Sequence, residues 1–342
     1  MSLTRRDRRD WRIFYWVSLG SAAISAYFGY AIAPADDPPL HGAFHGVVAS
    51  LIIATPILVF ELRSARAGFL RRLRRLPLAV YFILKVLFYF IVIVGGFALM
   101  RYLTTDTAPF EFDATFRSSI AFAIAMSVAA NLVFDMGGLL GFGTLKSLLT
   151  GRYVQPRQED RAFVLIDMRD STGLAERLGP IRFHELLNAF FRDVTDAALE
   201  CEGEIHKYVG DEAILTWSGG EALASGDCLE CPFVARDIIL ANRQRYETQF
   251  GTVPSFRAAI HCGEIVAGEI GDVRREIAYV GDTLNVAARL LDAAKSLGKE
   301  VLVSAALLDR VTLPPDLRAD PLSTLTLRGR SASLEIAALE RR

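Results

Sequence analysis

RAFVLIDMRDST (161–172) opens as a short apolar run of strand length and closes on an aspartate and a polar turn. Working outward, helical periodicity runs from about 181 to 200, with Phe183, Leu186, Leu187, Phe190 and Phe191 on one face. IHKYVGDEAILTW (205–217) reads as two strands about a Val209-Gly210-Asp211 turn. Residues 226–249 read as helix, SFRAAIHCGEIVAGEIG (255–271) as a hairpin or paired strands, and Asp282–Ala294 as helix. Short strand, helix and strand signals finish the chain. This alternation predicts an α+β sandwich, with helices on one or both faces of a mostly antiparallel sheet.

The first half follows a different rule. Four segments, 13–33, 42–62 (with Pro56 inside), 77–100 and 117–139, are long and apolar enough to span a bilayer at about 20 residues each. The first is too long for a signal-peptide core and lacks a small-residue cleavage site. The predicted organisation is a four-helix transmembrane domain over 1–140, a linker over 141–160 and a second domain over 161–342. Arg63, Arg66, Arg71, Arg72, Arg74 and Arg75 lie between the second and third spans. The loops on the other side carry PADDPP (34–39) or Asp106, Glu111 and Asp113. Basic residues stay on the cytoplasmic side, so both termini and the second domain are expected in the cytoplasm, on a multi-pass inner-membrane protein.

The 342 residues are 52% hydrophobic and 23% charged, too apolar for a disordered chain and too charged for one wholly in membrane. Residues 1–150 hold 15 Lys+Arg against 9 Asp+Glu, so the overall charge of −1 conceals a basic first half and an acidic second. Neither half has the dense basic stripe of a nucleic-acid binder. Cys201, Cys228, Cys231 and Cys262 do not form a disulfide framework. The Cys228-x-x-Cys231 pair lacks a matching second pair and reads as two small thiols. His41 and His45 suit either an interfacial position or a ligand at the outer face. Lys85 and Asp135 suit either snorkelling to the interface or a contact that couples two helices.

Two aspartates hold chemically suggestive places. Asp167 ends a strand and Asp211 sits in a tight turn, positions where carboxylates can converge on Mg²⁺ or Mn²⁺ or merely cap turns. Asn285 and Arg289 are four apart on a helix, so an amide and a guanidinium leave one face, suited to a ribose and a phosphoryl group. Arg289 reads equally as a solvated helix arginine.

FVLIDMRDST (163–172), EIHKYVGDEAIL (204–215) and YVGDTLNVAARL (279–290) together resemble the class III nucleotidyl cyclases, the adenylate and guanylate cyclases, over about residues 161–340. The resemblance implies a ferredoxin-like α+β catalytic fold and conversion of ATP to cyclic AMP and pyrophosphate. It makes Asp167 and Asp211 the ligands of two Mg²⁺ or Mn²⁺ ions. Asn285 orients the ribose, Arg289 stabilises the transition state, and Lys207 reads the purine and favours adenine. The lysine's usual partner position is Ala278, which has no hydrogen-bonding side chain, leaving Glu276 or backbone groups for that task. Arg274, Arg275, Arg328 and Arg330 are candidates for the triphosphate, or are simply solvated.

The family builds its site between two catalytic domains, which implies a homodimer with two equivalent sites. Segment 141–160 is then either a passive tether or a coupling element. Further partners are the lipid bilayer and an unidentified membrane or extracytoplasmic ligand. The alternatives are a guanylate cyclase and a catalytically silent membrane receptor whose cyclase-like domain only dimerises.

Overall fold

The computed structural model describes residues 5–33, 38–64, 76–104, 114–273, 275–322, 324–326 and 333–342. It divides into a helical unit, Asp7–Phe142, and a second unit, Gly143–Arg342. The helical unit contains α1 (Arg5–Ala31), α2 (Pro39–Ser64), α3 (Leu78–Thr104) and α4 (Ala114–Leu140). Three stretches among the described residues are long and apolar enough to cross a bilayer: Pro39–Glu61, Val80–Met100 and Phe116–Gly138. The first of the four expected spans does not reach that measure. Helix α1 covers it, but Ser18, Gly20, Ser21, Ser25, Tyr27, Gly29 and Tyr30 dilute its apolar content below that of the other three. Most of the loop charges that oriented the sequence reading, 34–37, 65–75 and 105–113, lie outside the described residues.

Small residues let α1 and α2 approach closely. A Cβ on Gly29 would fall on the Gly42 carbonyl, and one on Gly46 on the Ser25 carbonyl. Ser25-x-x-x-Gly29 thus meets Gly42-x-x-x-Gly46, a small-residue crossing of the kind that packs helices where no hydrophobic drive exists. Phe28 of α1 also stacks on Phe122 of α4, centroids 3.9 Å apart. Lys85 is buried, with Nζ 2.8 Å from Glu61 and 3.0 Å from Asp135. The contact reading of Lys85 and Asp135 therefore holds, with Glu61 as an added member.

In the second unit, α5 (Phe142–Leu149) precedes β1 (Arg157–Met168), α6 (Ser171–Leu178), α7 (Pro180–Glu200), β2 (Glu204–Val209) and β3 (Glu212–Ser218). Then come α8 (Gly220–Ala224), α9 (Asp227–Ala241), α10 (Arg243–Phe250), β4 (Phe256–Ile270), β5 (Glu276–Val280) and α11 (Asp282–Ser296). The last elements are β6 (Val301–Ser304), α12 (Ala305–Leu308), β7 (Leu317–Pro321), β8 (Leu325–Thr326), β9 (Ser333–Leu334) and β10 (Ile336–Arg341). The main sheet runs β2-β3-β1-β4-β6-β10-β7, with β5 on β4, and β4–β6 is its parallel pairing. Helices cover both faces, as the alternation requires: Ala162, Val164 and Ile166 join the core with α7 and α9, while Phe163 and Leu165 join the core with α11.

Two local readings change. Strand β1 starts at Arg157, because Gln158 and Asp160 pair with β4 despite their polarity. Residues 255–271 are not a hairpin by themselves: β4 runs unbroken and turns back into β5. Gly263 and Gly268 mark close approaches within it, to the Thr283 hydroxyl and to Pro156 respectively.

Candidate active site

Alternation along β1 puts Asp167 on the face of Phe163 and Leu165, the face that α11 covers. Across the sheet Asp167 lies opposite Glu212 of β3 and Arg257 of β4. The β2–β3 turn brings in Asp211. Gly210 makes that turn with φ 62°, a conformation costly for other residues, and the Met168 N–H donates to the Asp211 carbonyl at 3.3 Å.

The carboxyl groups crowd one another. Burial, then the neighbouring Asp211, pushes the Asp167 carboxyl up to about 6, with Lys295 and Arg257 pulling the other way. Burial, then Asp167, Asp211 and Asp292, pushes Glu212 up to about 7. Like charges held at one point are what a cation relieves, and these hard oxygen donors fit Mg²⁺ or Mn²⁺. Among the described residues no three His, Cys, Asp or Glu side chains form a ligand group.

Around the purine-reading candidate, β2 faces β5. Lys207 Nζ lies 3.5 Å from Glu276, both about half exposed. Next to it His206 stacks on Tyr279, centroids 4.3 Å apart, and the Arg161 guanidinium lies 4.7 Å from the same ring. Ala278 sits on β5 opposite Gly268, two residues along from Glu276. Asn285 is exposed in the second turn of α11, and Arg289 is half-buried one turn on. Val286, Ala287, Leu290 and Leu291 hold the other face of that helix in the core.

Arg275 faces Glu269 at 3.8 Å across the β4–β5 hairpin. Arg274, Arg328 and Arg330 lie outside the described residues. Cys201, Cys228, Cys231 and Cys262 are buried free thiols; burial pushes Cys228 up to about 12, and a hydrogen bond with Cys201 raises Cys231. His41 and His45 lie in the first two turns of α2.

Glu212, Arg257, Asp292, Lys295, His206 and Tyr279 did not stand out in the sequence. One signal was available: Glu212 lies two residues before core-facing Ile214 on the α11 face, and so on Asp167's side of the sheet.

Comparisons with known proteins bear on this geometry. A family model described as adenylate and guanylate cyclase catalytic domain matches residues 154–336. The chain is 36% identical over 303 residues to adenylate cyclase 2 of Rhizobium meliloti (strain 1021), covering 87% of this chain and 84% of that one. It is 30% identical over 188 residues to adenylate cyclase 1 of the same strain, covering 53% of this chain and 27% of that one. A solved structure of a bacterial light-regulated adenylyl cyclase shares the fold, with a TM-score of 0.51 at 15% identity, covering 67% of this chain and 66% of that one.

Proposed function

Since the chain belongs to the adenylate and guanylate cyclase family, as a class III nucleotidyl cyclase carried on membrane-spanning helices, we propose that it converts ATP to 3′,5′-cyclic AMP and pyrophosphate at sites shared by two copies. The observation that carries this reading is the meeting of the half-buried Asp167 carboxyl with Asp211, where burial first and then Asp211 push Asp167 up to about 6. Asp167 and Asp211 would hold two divalent cations. When bound, such ions neutralise the triphosphate and acidify the ribose 3′-hydroxyl.

The remaining work falls to the chain's own side chains. Asn285 positions the ribose, so that the 3′-oxygen faces the α-phosphorus with little further loss of freedom. As the new O–P bond forms and pyrophosphate departs, charge grows on the α-phosphoryl oxygens. Arg289, anchored on a core-packed helix, meets that charge without reorganising, an effect worth about 3–4 kcal/mol in comparable sites. Arg275, Arg274, Arg328 and Arg330 are proposed for the triphosphate.

Two observations support a site built from two copies. Within one chain, Lys295 acts on Asp167, whereas Asn285 lies ten residues earlier on α11, about 15 Å along the helix. The margin near β2, β4 and β5 also exposes Val209, Val266, Ile270, Val273 and Val280, apolar surface suited to a partner. We place both termini and this unit in the cytoplasm and α1 within the bilayer, supported by the basic 63–75 segment and by the small-residue crossing of α1 on α2. Segment 141–160 suits a coupling role: Tyr153 is buried, its carbonyl accepts from the Glu269 N–H at 2.9 Å, and Arg161 donates to its hydroxyl at 3.0 Å.

Base choice rests on Lys207 and Glu276. For adenine, the ammonium donates to N1 and the carboxylate accepts from the 6-amino group. The same pair also serves guanine, through O6 and N1–H, which makes a guanylate cyclase the second reading. The 36% relative's name favours the first. The test is product formation by the full chain with ATP or GTP and Mn²⁺ or Mg²⁺. Cyclic AMP should dominate, and Lys207→Ala should lower kcat/KM for ATP by about 10–100-fold. Dominant cyclic GMP would establish the second reading.

A further inference from the structure

The helical unit holds a half-open cavity of about 700 Å³ between α1, α2, α3 and α4. Its lining is mostly apolar, including Ile24, Phe28, Ile53, Ile57, Phe97 and Phe122. Several of the polar groups that reach it are paired, although Ser25, His45, Ser119 and Ser127 line it too. Ser21 and Ser50 bond each other at 2.9 Å. Glu61 accepts from the Tyr89 hydroxyl and pairs with Lys85. Asn131 differs from the paired groups. It lines the cavity, is 1% exposed, and neither its Oδ1 nor its Nδ2 has a partner.

An unpartnered buried amide forfeits the hydrogen bonds it would make to water, and hydrocarbon around the unit offers no replacement. Water alone is a poor occupant, since a stable buried water needs two to four polar partners and most of the lining beyond Asn131 and the serines is apolar. A phospholipid acyl chain would match the lining yet leave the amide as it is. A molecule with an apolar body and one neutral head that both donates and accepts answers both features. The size suits it as well, within the usual 300–1,000 Å³ of small-molecule sites. An anionic head is disfavoured, because Glu61, Lys85 and Asp135 together carry a formal excess of one negative charge at the Asn131 end.

We propose that this cavity binds an uncharged lipophile bearing an amide-type head, which pairs with Asn131. The site is separate from the nucleotide chemistry, so its test reads binding and not turnover.

The full chain in lipid nanodiscs is photolabelled with diazirine-bearing dodecanamide or with the matching diazirine-bearing dodecane, and labelled peptides are mapped by mass spectrometry. Labelling by the amide should saturate at one probe per chain, map to α2 and α4, and be displaced by plain dodecanamide. Asn131→Leu, close in volume, should weaken the amide about tenfold and leave the hydrocarbon probe unchanged, which also shows that the cavity still forms. Ala49→Phe, which fills the space, should remove both. Labelling that never saturates, that spreads over lipid-facing surfaces, or that ignores Asn131→Leu would overturn the proposal. Protein that retains a phospholipid which dodecanamide cannot displace would overturn it too.

Discussion

Both units bury charge, but they settle it in opposite ways. In the helical unit Lys85 stands between Glu61 and Asp135, so unlike charges cancel in place. In the other unit, Asp167 lies against Asp211 and beside Glu212, and burial with these like charges pushes the Asp167 and Glu212 carboxyls up to about 6 and about 7. The first arrangement is complete by itself. The second keeps an excess of carboxylates that Lys295 and Arg257 only partly offset. Uncompensated like charge on rigid elements marks a site, whereas a closed ion cluster marks a joint between helices.

Removing one of the crowded carboxylates separates stability from activity and gives the largest effect. Asp167→Asn should abolish cyclic nucleotide formation, by about a thousandfold or more, because a cation ligand is lost. The same change should stabilise the metal-free protein near pH 8 by about 1 kcal/mol, or about 2–4 °C in Tm, since the like-charge contact is gone. Arg289→Ala should also be inactive. Mixed in equal amounts, the two variants should regain about a quarter of wild-type turnover, since half of random dimers are mixed and each holds one intact site. Failure of the mixture despite confirmed subunit exchange would eliminate the two-copy site.

The reverse experiment breaks the settled cluster. Lys85→Met leaves Glu61 and Asp135 without their cation and should cost the full chain about 3–5 kcal/mol in unfolding. Adding Glu61→Gln and Asp135→Asn to Lys85→Met should recover most of that loss, because no buried charge remains to be matched. If the single and triple variants are equally destabilised, the cluster is not a charge-balanced joint.

What the sequence disclosed follows the range of the interaction concerned. The β2–β3 hairpin was legible because Gly210-Asp211 is a local turn signal between apolar runs. Asn285 and Arg289 could be placed on one face because helix spacing is local too. Strand β1 was cut short at 161, since Gln158 and Asp160 belong to it only through β4. Gly263 and Gly268 of β4 have a tertiary cause, the nearness of Thr283 and Pro156, which no local pattern shows. Nothing local brings Asp292 and Lys295 of α11 to the β1 end, or adds Glu61 to Lys85 and Asp135. For α1, hydropathy and packing separate: its serines, glycines and tyrosines lower the first while Ser25 and Gly29 serve the second. Asn131 was visible as a polar residue in a span, but its lack of a partner appears only once four helices surround it.

The smallest effect probes the margin between these extremes, where a single half-buried titrating ring sits beside two cations and one carboxylate, Glu276. Burial first, then Lys207 and Arg161, pushes His206 down to about 4, so the folded protein keeps the ring neutral on Tyr279. The unfolded chain binds a proton near the ordinary 6.5. Between pH 6.5 and 4 it therefore holds more protons than the folded chain, and stability must fall as the pH falls through that window. With the ring only partly buried, the loss is of the order of 1–2 kcal/mol after allowance for solvent screening. His206→Phe keeps a ring against Tyr279 and removes the titration, so its stability should be flatter than wild type between pH 6.5 and 4. Urea unfolding of the full chain at pH 4.5 and 7.5 reads the difference, and an equal slope in both proteins would mean that His206 already carries its proton when folded.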